Sequence, residues 1–204
     1  MGGEEPEAQP RFCGESPALY IGKGPITNQQ YEAFEPDHCR SEKPPGDNDP
    51  VVNVSFRDAQ RYCAWYSEAS NKDFRLPTEV EWEYACRGGS EQRYPWGPDC
   101  SPTARYAWLE ANSAGRAHAI EGLEANDVGL YDMLGNVWEW TASLFLPYPV
   151  VEGDGRDEPQ APGPRTVRGG SYRTAAGEVS ASLRQGRDPA ERSDDVGFRI
   201  VRRL

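Results

Sequence analysis

The residues best placed to do chemistry in this chain are two carboxylates, Asp132 and Glu139, in the stretch 129–140, GLYDMLGNVWEW. Asp132, Gly135, Val137 and Glu139 follow a short repeat of two side-chain oxygens and two carbonyl oxygens. Such a set can wrap a hard cation such as Ca²⁺. The same carboxylates could instead accept backbone N–H groups in a core turn, the commoner meaning of a short motif. Tyr131, Trp138 and Trp140 flank them, and aromatics of this size dominate core energetics.

Other chemistry finds few residues. No nucleophile elbow, phosphate-binding loop or dinucleotide fingerprint occurs. Glu79, Glu81 and Glu83 alternate through one helix and read as solvated surface. His38 and His118 are the only histidines. They lie in separate loops, and His118 reads as part of a surface turn. The five cysteines form no CxxC pair, so neither a zinc framework nor a complete disulfide framework is expected. Cys63 and Cys86 sit in apolar helical patterns and read as buried small hydrophobes. Cys13, Cys39 and Cys100 fall in loops, where a pair could form in an oxidising compartment. Arg168 is expected to pair with a core carboxylate, Glu139 or Glu81.

The elements that must position these groups follow from capping and periodicity. Residues 18–22 (ALYIG) form a strand candidate. Thr27 with Gln30, and Thr78 with Glu81, have capping-box spacing, and Ser55 with Asp58 resembles a cap. Phe56, Ala59, Cys63 and Tyr66 recur at helical spacing, ending near Asn71. In the next helix Val80, Tyr84 and Trp82 are expected to face inward, with Gly88–Gly89 as the stop. Residues 35–50 and 142–166 are proline-rich and read as loops. Residues 196–201 (VGFRIV) alternate as a closing strand. Early helices followed by short strands and long loops suggest an α+β fold with a small sheet. Residues 1–17 read as a flexible tail and 18–204 as one domain.

The net charge of −11 offers no basic patch to a phosphate backbone, so no nucleic acid is expected as partner. The arginines 184, 187, 192, 199, 202 and 203 are interspersed with acids and read as a mixed surface. No apolar run approaches membrane-spanning length and no signal peptide is seen. The expectation is a cytoplasmic protein with no membrane partner, although surface display stays open.

Seven segments, in order, resemble the formylglycine-generating enzyme (sulfatase-modifying factor) family: ITNQQYEAF (26–34), PVVNVSFRDAQRYCAWYS (50–67), RLPTEVEWEYACRGG (75–89), YPWG (94–97), GLYDMLGNVWEWT (129–141), VRGGSYR (167–173) and VGFRIVR (196–202). The resemblance implies a C-type-lectin-like fold with two early helices, a small twisted antiparallel sheet and many long loops. An IPGG-like opening strand of the family is absent. One cation site of the family maps onto Asp132, Gly135, Val137 and Glu139, so Ca²⁺ is the expected ion. The family's second calcium segment has no match in the short stretch 112–126.

Catalytic members carry two cysteines, five positions apart, that bind copper and activate oxygen to oxidise a substrate cysteine. Those positions fall here on Val179 and Arg184. Neither can supply the soft thiolate that Cu(I) needs, so no copper is expected and the resemblance leans away from an enzyme. The related sulfoxide-synthase branch uses a histidine-rich iron site that two histidines in separate loops do not build.

The expectation is therefore a non-catalytic ligand-binding module. Segment 173–195, small and polar between two framework pieces, resembles the recognition surface of diversity-generating-retroelement variable proteins. Tyr172, Arg173, Glu178, Ser180, Ser182, Arg184, Arg187 and Asp195 are the expected contacts to a protein or other macromolecular ligand, with Trp108 and Tyr148 as aromatic neighbours. The alternative is a metal-dependent oxidase or oxygenase acting on a peptide or small molecule.

Overall fold

The computed structural model describes residues 18–40, 45–151 and 153–204. The expected tail 1–17, with Cys13, lies outside the described residues.

Capping boxes start all three of the longer helices. Thr27, Ser55 and Thr78 each accept the N–H three residues on, and Gln30, Asp58 and Glu81 reach back to the cap. These reciprocal bonds satisfy donors that a helix start leaves without partners. Helix α1 spans Asn28–Glu32, α2 Phe56–Ser70 and α3 Glu79–Arg87; a short α4 spans Thr103–Tyr106. Asn71 and Gly88 close α2 and α3 in the left-handed conformation, as C-terminal caps commonly do.

Two small sheets carry the rest. In the first, β7 (Val201–Arg203) lies between β1 (Leu19–Ile21) and β2 (Phe74–Arg75), antiparallel to both. In the second the order is β5 (Arg184–Arg187), β4 (Arg165–Arg168), β3 (Trp138–Leu144) and β6 (Val196–Gly197). The β3–β6 pair is parallel and the other two pairs are antiparallel. The single closing strand expected over 196–201 is thus two strands. Val196–Gly197 ends one sheet, Phe198 and Ile200 cross through the core, and Val201 begins a strand of the other. Alternation of side chains looked continuous because both halves bury apolar residues.

Two hydrophobic clusters form the core. One joins the α2 face (Phe56, Ala59, Tyr62, Cys63) to Trp138, Trp140, Val167 and Phe198. The other gathers Trp82, Cys86, Leu109, Met133, Leu134, Val179 and Ala181. Burial pushes the thiols of Cys63 and Cys86 up to about 12, leaving them protonated. Cys39 and Cys100 are exposed and free. Trp82 is fully buried as expected, but Tyr84 is 65% exposed and Val80 half-buried. The inward face of α3 runs instead through Glu79, Trp82, Glu83 and Cys86.

Glu81 is buried, and its carboxylate takes both arms of Arg75 at 2.6 and 2.7 Å. Burial pushes the carboxyl up, but Arg75 and the Thr78 N–H outweigh that and hold it below the usual carboxylate value. A carboxyl held low in the folded state adds stability above its unfolded value of 4.5, lost as pH falls through the folded value. Glu81→Gln should therefore cost about 1–2 kcal/mol at neutral pH and progressively less below about pH 4, read from denaturant midpoints across pH.

Candidate functional site

The site is built where α3 crosses the second sheet. Glu79 and Glu83 lie one turn apart on α3 and are fully buried. They are not the solvated charges that alternation of Glu79, Glu81 and Glu83 suggested, because each faces a guanidinium from the C-terminal half. Glu79 accepts two hydrogen bonds from Arg184, at 2.6 and 2.7 Å, and one from the Tyr148 hydroxyl at 3.1 Å. Its backbone N–H donates to the Ser143 hydroxyl. Glu83 accepts from Arg168 at 2.5 Å and from Arg87 at 2.9 Å. Arg168 therefore pairs with Glu83, not with Glu139 or Glu81, and lies 3.7 Å from Glu79.

The two terminal nitrogens of Arg168 also fix a loop. They reach the carbonyls of Ala181, Ser182 and Leu183, and the guanidinium lies over the Trp82 ring. Burial disfavours its charge, yet Glu83, Tyr148 and Glu79 outweigh burial and raise the Arg168 pKa. Arg184 is clasped between the rings of Phe145 and Tyr148, 4.5 and 4.4 Å from its central carbon. Burial pushes the Tyr148 hydroxyl above its ordinary range, keeping it a neutral donor.

The expected cation turn has a different arrangement. Glu139 accepts three bonds of 2.7 Å, from Trp82 Nε1 and from Nε and Nη2 of Arg199. Arg199 also reaches the carbonyls of Gly22 and Tyr131. Asp132 accepts from the Glu121 N–H and the Asn136 side chain, and burial pushes its carboxyl up. Asp132 and Asn136 both adopt positive φ, which short polar side chains tolerate. A Cβ at Gly135 would lie 2.3 Å from the Trp108 carbonyl, so the turn accepts only glycine there. Both carboxylate oxygens of Asp132 thus accept N–H groups. Arg199 pairs with Glu139, and a divalent ion would compete with that pair.

Several expected contact residues are interior. Tyr172, Ser180, Ser182, Arg184, Asp195 and Tyr148 are buried. Their polar groups are spent internally: Ser180 on Ser182, Asp195 on Ser171 and Ser193, Tyr172 on Asp194. Small and charged residues between framework pieces suggested a surface, but here they satisfy one another inside. Arg173 and Glu178 are exposed, Arg187 and Trp108 half-buried. Val179 is fully buried in the cluster around Trp82. Copper does not fit: Val179 offers no donor, and Arg184 brings a cation bound to Glu79. His38 packs edge-on against Tyr31, and His118 stacks on Trp108 at 4.0 Å while its Nε2 meets the Ser113 carbonyl. Among the described residues no group of three His, Cys, Asp or Glu could hold a metal. The sequence carried one sign of the missed site: Glu79 and Glu83 at i, i+4 on the face of Trp82 and Cys86.

This loop-rich α+β scaffold, with short sheets wrapped around an aromatic turn, has the architecture of formylglycine-generating-enzyme-type domains. The chain belongs to that family: residues 1–204 match the model of the sulfatase-modifying factor enzyme 1-like domain. It is 39% identical over 167 residues to the inactive C-alpha-formylglycine-generating enzyme 2 of Bos taurus, covering 74% of this chain and 50% of that one. It is 31% identical to the hercynine oxygenase of Mycolicibacterium thermoresistibile, covering 95% of this chain and 52% of the other. The chain thus spans about half the length of these curated relatives. Among solved structures, Treponema denticola variable protein 1 superposes with a TM-score of 0.79 at 26% identity, over 91% of this chain and 84% of that one.

Because Arg199 already compensates Glu139, chelator or added Ca²⁺ should shift the melting temperature by no more than about 1 °C, whereas a structural ion would shift it by mass action. Thermal melts in both conditions check this.

Proposed function

We propose that the chain is a non-catalytic ligand-binding module on the formylglycine-generating-enzyme scaffold. The observation that carries the reading is the buried Arg184–Glu79 pair, with Val179 sealed in the adjacent core. Where thiolates would bind copper, this chain has a salt bridge and an apolar contact. The similarity to a relative named inactive and to a variable protein supports the same reading.

Recognition then falls to the exposed part of segment 172–195. Arg173 and Glu178 lead, Arg187 and the half-buried Trp108 extend the surface, and the buried members of the segment set its shape. Arg173 holds Asp194 at 2.7 Å and lies over Tyr172, which presents a charged and aromatic edge suited to a protein or other macromolecule. Acidic overall charge disfavours nucleic acid and anionic membranes as partners. A second reading, a metal-dependent oxidase or oxygenase, has the hercynine oxygenase similarity in its favour. It requires a metal centre, and among the described residues no group of three His, Cys, Asp or Glu provides one.

Copper-loaded protein should not convert a cysteine-containing peptide to its aldehyde, and Val179→Cys with Arg184→Cys should not gain that activity, because the substitution strands Glu79. Peptides selected on the protein from a displayed library should lose about tenfold or more in affinity when Arg173, Glu178 and Arg187 become alanine. The melting temperature should stay nearly constant, since exposed changes usually cost under about 0.5 kcal/mol. Peptide oxidation, or unchanged binding in the triple variant, would overturn the reading.

A further inference from the structure

A sizeable cavity lies away from segment 172–195, between β1, α1, α2 and the loop at residue 120. It encloses about 470 Å³, inside the range of about 300–1,000 Å³ that small-ligand sites occupy. Its walls are aromatic and aliphatic. Tyr62, Trp65 and Tyr66 come from consecutive turns of α2, and Phe74, Ile26 and Ile200 close the sides. Tyr20, 54% exposed, stands at the cavity with Arg202 stacked on its ring. Tyr62 and Tyr66 stack on each other, and Phe74 packs 4.8 Å from Tyr66, so the wall is braced from behind.

Two charged residues line this cavity, Lys23 and Glu121. Backbone geometry sets them side by side. The Lys23 carbonyl accepts the Tyr131 N–H at 2.8 Å, and the Glu121 N–H donates to the Asp132 carboxylate at 3.0 Å. Neighbouring residues thus anchor both segments, and Gly24 touches Ile120 so closely that a Cβ there would lie 3.2 Å from it. Both side chains are exposed, and among the described residues neither forms an ion pair. An aromatic cavity with one unpaired cation and one unpaired anion on the same rim complements a ligand with an apolar body and both charges.

We propose that this cavity binds a small zwitterion with an aromatic or branched apolar side chain, of the size of an amino acid or dipeptide. Lys23 takes the carboxylate, Glu121 takes the ammonium, and the side chain lies against Trp65 and Tyr66. The site is distinct from the surface of segment 172–195 and stands or falls independently of it.

The test is an NMR titration of the full chain with glycyl-L-phenylalanine and, separately, with uncharged N-acetyl-L-phenylalaninamide. The dipeptide should produce saturable shifts at residues 20–26, 62–74 and 120–121, and the neutral compound should bind at least about threefold more weakly. Lys23→Ala and Glu121→Ala, both on the exposed rim, should each weaken the dipeptide by about threefold to fivefold and leave the neutral compound unchanged. Absence of saturable shifts at those residues, equal affinity for the two compounds, or unaltered binding in both variants would overturn the proposal.

Discussion

Buried guanidinium groups hold this chain together. Taking a guanidinium and a carboxylate out of water is costly, and the geometry must offset that loss through hydrogen bonds on every side. Here each arginine does two jobs. Arg184 meets Glu79, Arg168 meets Glu83 and Arg199 meets Glu139. The spare donors then collect loop carbonyls: Ala181–Leu183 for Arg168, and Gly22 and Tyr131 for Arg199. Arg165, over the Phe56 ring, does so without a carboxylate and gathers the carbonyls of Ala142, Glu158, Pro159 and Ala161. A fold with short strands has many backbone carbonyls outside any ladder, and buried ones must find donors. The five-donor fork of arginine meets that need where regular structure cannot.

The same constraint shapes function. On the proposed reading, the space near Val179 and Arg184 is where the family's oxidases would hold their copper ligands. In this chain the space is closed by the Trp82 cluster on one side and by Glu79, Tyr148 and Phe145 on the other. The Glu79–Arg184 ion pair ties β5 to the start of α3. On the readings proposed above, partners would meet exposed residues such as Arg173 and Glu178, and a small ligand the aromatic cavity by Lys23 and Glu121.

Much of this was legible in the sequence, for physical reasons. The two expected capping boxes, at Thr27 and Thr78, depend only on residues three apart and both formed, and the cap at Ser55 proved to be a third. The aromatic turn at 129–140 declared its burial through Trp138 and Trp140, and the ordered motifs placed the fold. The failures share one cause. Glu79, Glu83, Ser180, Ser182, Arg184 and Asp195 are polar residues whose partners lie far along the chain, 105 residues in the case of Glu79 and Arg184. A polar residue read alone is assigned to water, and only tertiary pairing reverses that assignment. Arg168 was correctly expected to seek a core carboxylate, but no spacing rule could distinguish Glu83 from Glu139 or Glu81. The continuous reading of 196–201 failed similarly, because burial on both sides of a sheet change looks like one strand.

The central claim is that the buried Glu79–Arg184 pair is an integrated structural unit. A double-mutant cycle on folding stability tests it most directly, with Glu79→Gln, Arg184→Met and the double variant measured by denaturant unfolding. Each single variant should lose about 3–5 kcal/mol, because it strands a buried charge, and the double variant should lose clearly less than the sum. Additive losses, or single losses under about 1 kcal/mol as for a solvent-exposed pair, would contradict it.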